Sequence, residues 1–315
     1  MLQFIAKRLA MLVATLLVAS FAIYGALYLA PGSPIAALTG GRTLPPEVMA
    51  QIEARYHLNE PFLTRYWLWL TAAIHGDLGE SIPLHESVNT LIAQRIGTTL
   101  QLVLFASILI VMFGVSLGII GALGRGVVDT GVLFASTVSA ALPAFAAAVI
   151  LQFIFGVYLG WFPVLGTGDG FVDTIKHLTL PAIALAATST ALVTRVTRTA
   201  VREELDREHV QTAVSRGLPW SDVVRRHVLR NAAIPITTVV GITIASLIAL
   251  SAVVETAFAL NGLGAYLVQA AQNKDFAVVQ GISLVLVVAF VVTNVVVDIA
   301  YALLDPRVSL GSRAQ

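Results

Sequence analysis

Arg202 to Pro235 reads R-E-E-L-D-R-E-H-V-Q-T-A-V-S-R-G-L-P-W-S-D-V-V-R-R-H-V-L-R-N-A-A-I-P, and the rest of the chain is organised around it. This charge-dense, helix-forming block lies between two apolar runs, Leu178 to Thr194 and Ala232 to Val254. Six arginines and five acids fall between Arg202 and Arg230, although all 315 residues hold only 37 charges (19 basic, 18 acidic). A chain this poor in charge places such a block in water. Its grammar is helix, Gly217, turn, Pro219, second helix. Glycine just past a helix end and proline at the next helix start are the expected punctuation. Ala213 and Gly217 are four apart and share a helix face, a flat spot that the groove of another protein can approach.

Composition sets the class. The chain is 57% hydrophobic and 12% charged, where soluble domains run nearer a quarter charged. It reads as an all-α integral membrane protein. The formal net charge of +1 provides no field for nucleic acid, and the absence of cysteine excludes disulfides, thiolate metal sites and a cysteine nucleophile. Lys7 and Arg8 precede 22 uncharged residues, Leu9 to Ala30. That run exceeds a signal-peptide core of about 7–15 residues, so it reads as an uncleaved first span.

A spanning helix needs about 20 apolar residues. Six candidate spans follow: 9–30, 98–123, 130–158, 178–198, 233–254 and 278–303. The third sits in an uncharged run from Thr130 to Gly168, long enough for two spans. Parity favours one, which leaves Arg125 on the same side as the Arg195–Arg230 cluster. Pro143 is expected to kink that helix. Six spans put both termini inside and divide Lys and Arg as 13 inside and 6 outside, as the positive-inside rule requires. The outer segment is 31–97 and the charged loop 199–232. Within the outer segment, Pro46 to His57 and Arg65 to His75 read as short helices. The aromatics of the second are expected at the membrane surface or over the bundle mouth. The whole of 1–315 reads as one membrane domain.

Several motifs fail on context. Gly114-Val115-Ser116-Leu117-Gly118 matches a nucleophile elbow but lies inside a spanning run rather than at a strand–turn–helix; close helix packing is the better reading. His75, Asp77, Glu80, His85 and Glu86 are metal-ligand types without a compact ligand spacing. Asp298 shares a face with Asn294 and Tyr301 in the last span. It reads as a polar clamp, with Arg195 as a candidate partner; a functional intramembrane acid is the alternative. The three lysines, Lys7, Lys176 and Lys274, follow no phosphate-binding loop pattern, so ATP and Mg cannot be bound here by such a loop.

Gln211-Thr212-Ala213 with Gly217 resembles the E-A-A-x-x-x-G loop of permease subunits of binding-protein-dependent ABC importers. Here Gln and Thr replace the first two letters. The match to the dipeptide and oligopeptide permeases extends along the chain. It includes Pro31-Gly32-Ser33-Pro34, Gly76-Asp77-Leu78-Gly79-Glu80-Ser81, Arg95-Ile96-Gly97-Thr98-Thr99-Leu100, Gly160-Trp161-Phe162-Pro163, His177-Leu178-Thr179-Leu180-Pro181, His227 to Pro235, Glu255-Thr256-Ala257-Phe258, Gly262-Leu263-Gly264 and Asp305-Pro306-Arg307. Asn261 stands where that family usually has proline.

The resemblance implies a type I ABC importer transmembrane domain with both termini cytoplasmic, in a bacterial inner membrane. It implies no enzyme activity and no cofactor in this chain, with ATP and Mg on partner subunits. The implied partners are a second homologous permease, two ATPase subunits, an extracytoplasmic solute-binding protein and the bilayer. A helix over 203–217 would couple to the ATPase through Glu208, His209, Thr212, Ala213, Ser215, Arg216, Gly217 and Leu218. Gly76, Asp77, Glu80, Glu255 and Asn261 would contact the binding protein or the gate. Short peptides are the implied solute. Nickel complexes or glutathione in the same class are an alternative, and a secondary transporter or channel is an alternative of another class.

Overall fold

The computed structural model describes residues 2–29, 47, 59–81 and 83–304. The expected turn at Pro31–Pro34 and the helix at Pro46–His57 lie outside the described residues, apart from Glu47. Helices dominate. They are α1 (Leu2–Leu29), α2 (Phe62–Ile74), α3 (Val88–Leu123), α4 (Val127–Ala141), α5 (Ala144–Tyr158), α6 (Phe171–Leu205), α7 (Glu208–Ser215), α8 (Trp220–Ala257), α9 (Leu263–Gln272) and α10 (Phe276–Leu304). One short hairpin, β1 (Glu80–Ser81) antiparallel to β2 (Glu86–Ser87), lies between α2 and α3 in the otherwise helical chain.

Five stretches are long and apolar enough to cross a membrane: Ala10–Leu29, Val88–Leu123, Phe171–Leu205, Trp220–Ala257 and Phe276–Val297. The third expected span, 130–158, is not one kinked helix. It is α4 and α5, bent by 100°. Pro143 has no N–H to continue α4, and its ring drives Leu142 into an extended conformation, with ψ 113. α5 then starts afresh from Pro143.

The chain divides into two compact units. One comprises Leu100–Leu260 with the end of α10 from Val292; the other comprises Leu2–Thr99 with Asn261–Val291. In the first unit α6 is the central helix, packed by α3, α4, α5 and α8. Glycines let α3 lie close against it. A Cβ on Gly114 would come within 2.9 Å of Val193, and one on Gly118 within 2.5 Å of Thr197. The G-x-S-x-G stretch is thus a packing face, as small residues in spanning helices usually are.

In the second unit, Val88, Leu91 and Ile92 of α3 bury against Leu263, Tyr266 and Ala270 of α9 and Val278 and Ile282 of α10. The Thr99 hydroxyl accepts from the Leu263 N–H at 2.8 Å, holding the start of α9. α2 packs on α1 through a cluster of Tyr24, Tyr66 and Leu70, with Phe62 and Trp69 against it.

Candidate functional site

The charged loop builds a short helix on a small apolar cradle. α6 runs on to Leu205 and stops, so 203–205 belong to it. The loop helix is α7, Glu208–Ser215, shorter than the expected 203–217. Asp206 and Arg207 make the break, with Arg207 extended at ψ 143. Glu208 in the first turn suits the positive end of the helix dipole. At the other end the Leu218 N–H donates to Ala213 O and the Gly217 N–H to Val214 O, with Gly217 at φ +77. That pair of bonds closes a helix through a left-handed residue, and glycine is the residue that adopts it without a Cβ penalty.

The face of α7 differs from expectation. Ala213 does not look outward. With Val210 it is buried against Ala122 of α3, Ala200 and Val201 of α6, and Val223, Val228, Ala232 and Ile236 of α8. The 3.6-residue period places Val210 and Ala213 on one stripe, and their apolar cradle takes that stripe. Gly217 is different: it is exposed, and nothing lies within 4 Å of where its Cβ would be. The outward side of the loop carries Glu208, His209, Thr212, Ser215, Arg216 and Leu218, all exposed. Val214, Leu218 and Trp220 are exposed apolar side chains there. Thr212 and Ser215 donate back to Glu208 O and Gln211 O, so their hydroxyls are held within the helix.

Two polar clusters brace this cradle, and the sequence analysis identified neither. Asp129 in the first turn of α4 receives Arg198 of α6 through two bonds, Nε at 2.5 Å and Nη2 at 2.8 Å. Arg202, one turn further along α6, also reaches Asp129 at 2.8 Å and donates to Gly121 O of α3 at 3.4 Å. The planar fork of Arg198 fits a carboxylate in this two-bond manner. Beside α7, Glu204 lies 3.6 Å from His209 and 3.7 Å from Arg207. The Asn231 amide of α8 stands 3.1 Å from His209 Nε2. The sequence signal for the first cluster was Arg198 and Arg202 four apart on one face; nothing local pointed to Asp129.

The other expected site residues scatter. Arg195 is exposed and donates to Thr137 of α4 at 3.2 Å. Asn294 is half-buried in α10, while the side chain of Asp298 lies outside the described residues, so the expected Asp298–Arg195 pair has no geometry to report. Gly76 (φ +87) and Asp77 are exposed, and Asp77 Oδ1 accepts from the Gly79 N–H at 2.9 Å. Glu80 is half-buried in β1. Asn261 is exposed between α8 and α9. Glu255 is fully buried at the end of α8, so this conformation offers it to no outside partner. Near it the Gln152 amide of α5 bridges Ala257 O at 3.0 Å and Val164 O at 3.1 Å. Gln152 ties the loop after α5 to the end of α8, a role no sequence motif suggested. Among the described residues no group of three or more His, Asp or Glu side chains gathers as a metal site.

Five membrane-spanning helices, a bent helix pair and a short helix cradled in a charged loop are the features with which this chain meets its relatives, and the chain belongs to the family of membrane components of binding-protein-dependent transport systems. The family model for binding-protein-dependent transport system inner membrane components matches residues 110–310, and the model for their N-terminal part matches 1–103. The chain is 36% identical over 310 residues to the oligopeptide transport system permease protein OppB of Escherichia coli K12, covering 98% of this chain and 99% of that one. It is 34% identical over 332 residues to the di/tripeptide transport system permease protein DppB of Pseudomonas aeruginosa, with the same coverage. A permease chain in inward-facing structures of the MetNI methionine ABC transporter matches with a TM-score of 0.54. That match is 17% identical and covers 68% of this chain and 96% of that one; it establishes the type I importer fold. The protein is a multi-pass membrane permease subunit.

Proposed function

We propose that this chain forms one half of the translocation pathway of an ATP-driven importer of short peptides in a bacterial inner membrane. The observation that carries the solute class is full-length identity to permeases named for oligopeptides and for di- and tripeptides. A second permease subunit completes the pathway, two ATPase subunits bind and hydrolyse ATP with Mg, and an extracytoplasmic binding protein delivers the peptide. Both termini and the α7 loop face the cytoplasm. α7 docks in a cleft of an ATPase subunit, and the contact is made by the exposed side: Thr212, Ser215, Arg216, Leu218 and Trp220, with Val214 beside them. Ala213 acts from beneath by seating α7 on its cradle, and Gly217 turns the chain so that Leu218 and Trp220 are presented. ATP-dependent movement of that cleft shifts a bistable bundle between inward-open and outward-open states.

The test is reconstitution. The complete importer in proteoliposomes is expected to take up labelled di- to pentapeptides with ATP, and its hydrolysis to rise with peptide-loaded binding protein. This chain alone is expected to hydrolyse no ATP above a mock preparation. Uptake of nickel complexes or glutathione in preference to every peptide overturns the solute assignment. ATP-independent uptake overturns the importer class.

A further inference from the structure

The geometry points to α2 as a helix embedded in the bilayer rather than in water: we propose that Leu63, Trp67, Leu68 and Ile74 contact lipid acyl chains in the leaflet reached by the C-terminal half of α1. On the orientation above, that is the outer leaflet. The inference rests on α1 spanning the membrane and is independent of the solute.

The first argument is depth. The apolar run of α1 is Ala10–Leu29, 20 residues. At 1.5 Å per residue that is about 30 Å, the full thickness of a hydrocarbon core with no slack. Leu29 therefore marks one boundary of the core. The Tyr66 hydroxyl of α2 bonds the Ser20 hydroxyl at 2.9 Å, and both side chains are buried. Ser20 stands nine residues inside Leu29, about 14 Å below the boundary by the same rise. Phe21, Tyr24 and Tyr28 of α1 all stack edge-on against Phe62 of α2, with ring centroids 5.0–5.7 Å apart. α2 thus lies along the half of α1 that lipid surrounds.

The second argument is what α2 leaves outside. Phe62, Tyr66, Trp69 and Leu70 turn to α1. Beside that face α2 exposes Leu63 (65%), Trp67 (63%) and Ile74 (72%), which fall within about 40° of one another at 100° per residue, with exposed Leu68 further round the helix. Exposed residues of the C-terminal half of α1, Phe21, Tyr28 and Leu29 among them, are likewise apolar or aromatic.

The third argument is polarity. Arg65 is the only charged residue of α2. Its guanidinium lies 5.8 Å over the Tyr28 ring, one residue from the end of α1, at headgroup depth. Such a snorkelled cation is what a helix entering the core from that side requires. The Thr71 hydroxyl donates to Trp67 O and Leu68 O at 2.9 Å. It is satisfied within the helix, as a group in hydrocarbon must be.

The absence of cysteine gives a direct test in cells expressing the whole importer. Leu63→Cys and Trp67→Cys are labelled with a membrane-impermeant maleimide, with exposed Asp77→Cys as reference. Both are expected to react about tenfold or more slowly than the reference, since each unit of upward pKa shift in an apolar medium removes about nine-tenths of the reactive thiolate. Bimane attached at either position in proteoliposomes is expected to be quenched by doxyl-labelled phosphatidylcholine. Labelling as fast as at Asp77→Cys overturns the proposal. So does protection without quenching, which makes a protein the cover, or protection that disappears when the binding protein is deleted. Leu63→Cys keeps the test open if Trp67→Cys fails to fold, because the two lie on the same exposed stripe.

Discussion

Asp129 and Asp275 are the same residue type in opposite surroundings, one in each compact unit. Asp129 sits under two guanidinium groups, Arg198 and Arg202, with its side chain 16% exposed. Asp275 is buried before α10, and among the described residues no cation pairs with it. The Ser81 hydroxyl donates to it at 2.5 Å and the Val278 N–H at 3.3 Å. The first carboxylate must be ionised to serve its partners; the second is disfavoured as an anion. The unit holding α7 is braced by charge, where geometry is fixed by fork-like donors. The Asp275 side of the other unit is held by a single hydroxyl and a backbone N–H, and among the described residues Arg95 is set against the Tyr266 ring rather than against an acid. A brace that must transmit movement between three helices is better made from the first kind, because it has direction as well as strength.

The largest effect is expected from breaking the charged brace. Asp129→Ala leaves Arg198 and Arg202 facing each other with no acid between them, which is the costly way to open such a pair. The protein is expected to insert, since the apolar runs are untouched. Uptake in the reconstituted importer is expected to fall by about tenfold or more, within the 5- to 150-fold range typical of a coupling between sites. ATP hydrolysis is expected to persist with a reduced response to loaded binding protein. Exchanging the charges, Asp129→Arg with Arg198→Asp, is expected to recover part of the loss. Wild-type uptake in Asp129→Ala breaks the comparison, because Asp129 is then merely a surface ion pair.

The next effect separates seat from turn within α7. Ala213→Leu adds three carbons to a buried cluster, and overpacking of this kind costs about 1–3 kcal/mol. Gly217→Ala meets no atom within 4 Å but adopts φ +77, which costs an L-residue about 1–2 kcal/mol. Both are expected to lower the thermal midpoint of the purified complex and its uptake, with Ala213→Leu lowering them more. Gly217→Asn is expected to be milder than Gly217→Ala, because asparagine tolerates the left-handed region. If Gly217→Ala is the worse of the first two, α7 is held by its turn and not by its seat.

Much of this was legible beforehand. Five spanning helices, the position of the loop helix and its glycine stop follow from apolar run length and turn chemistry, which are local properties. The rest required contacts distant in the chain. Ala213 looked like an outward flat spot because small residues serve equally as an external face and as a seat, and only Val201, Val223 and Ala232 beneath it decide between the two. Asp129 carried no signal because its partners lie 69 and 73 residues away. Proline in an apolar run predicts a kink at Pro143, whereas the 100° break reflects both its missing N–H and the extended Leu142 before it. The aromatic helix after the first span was legible from its Tyr and Trp residues, but its packing on α1 rests on contacts distant in the chain, the bond from Tyr66 to Ser20 among them.

The smallest effect is expected at Asp275, and it tests the other half of the comparison. Burial pushes its carboxyl above the ordinary 3.8, against the Ser81 hydroxyl and the Val278 N–H, which pull it down. The folded protein therefore holds this proton more tightly than the unfolded chain does. That contribution is fully present below the usual carboxylate pKa and is lost as pH rises through the raised folded value. Asp275→Asn cannot ionise; its single oxygen keeps the Val278 N–H bond, and its NH2 stands where Oδ2 accepted from Ser81, whose hydroxyl can turn to accept instead. Thermal midpoints of the purified complex, measured at steps upward from about pH 4 (near the unfolded Asp pKa), are expected to fall for the wild type relative to Asp275→Asn. A chain of this size loses about 2–4 °C for each kcal/mol, so the divergence is a few degrees. Ser81→Ala removes the stronger of the two donors and is expected to widen it, because the anion then keeps only the backbone N–H. Parallel curves for the wild type and Asp275→Asn would show that the carboxylate is ionised at no cost. In that case Asp275 and Asp129 would differ in partners but not in the charge state each unit can hold.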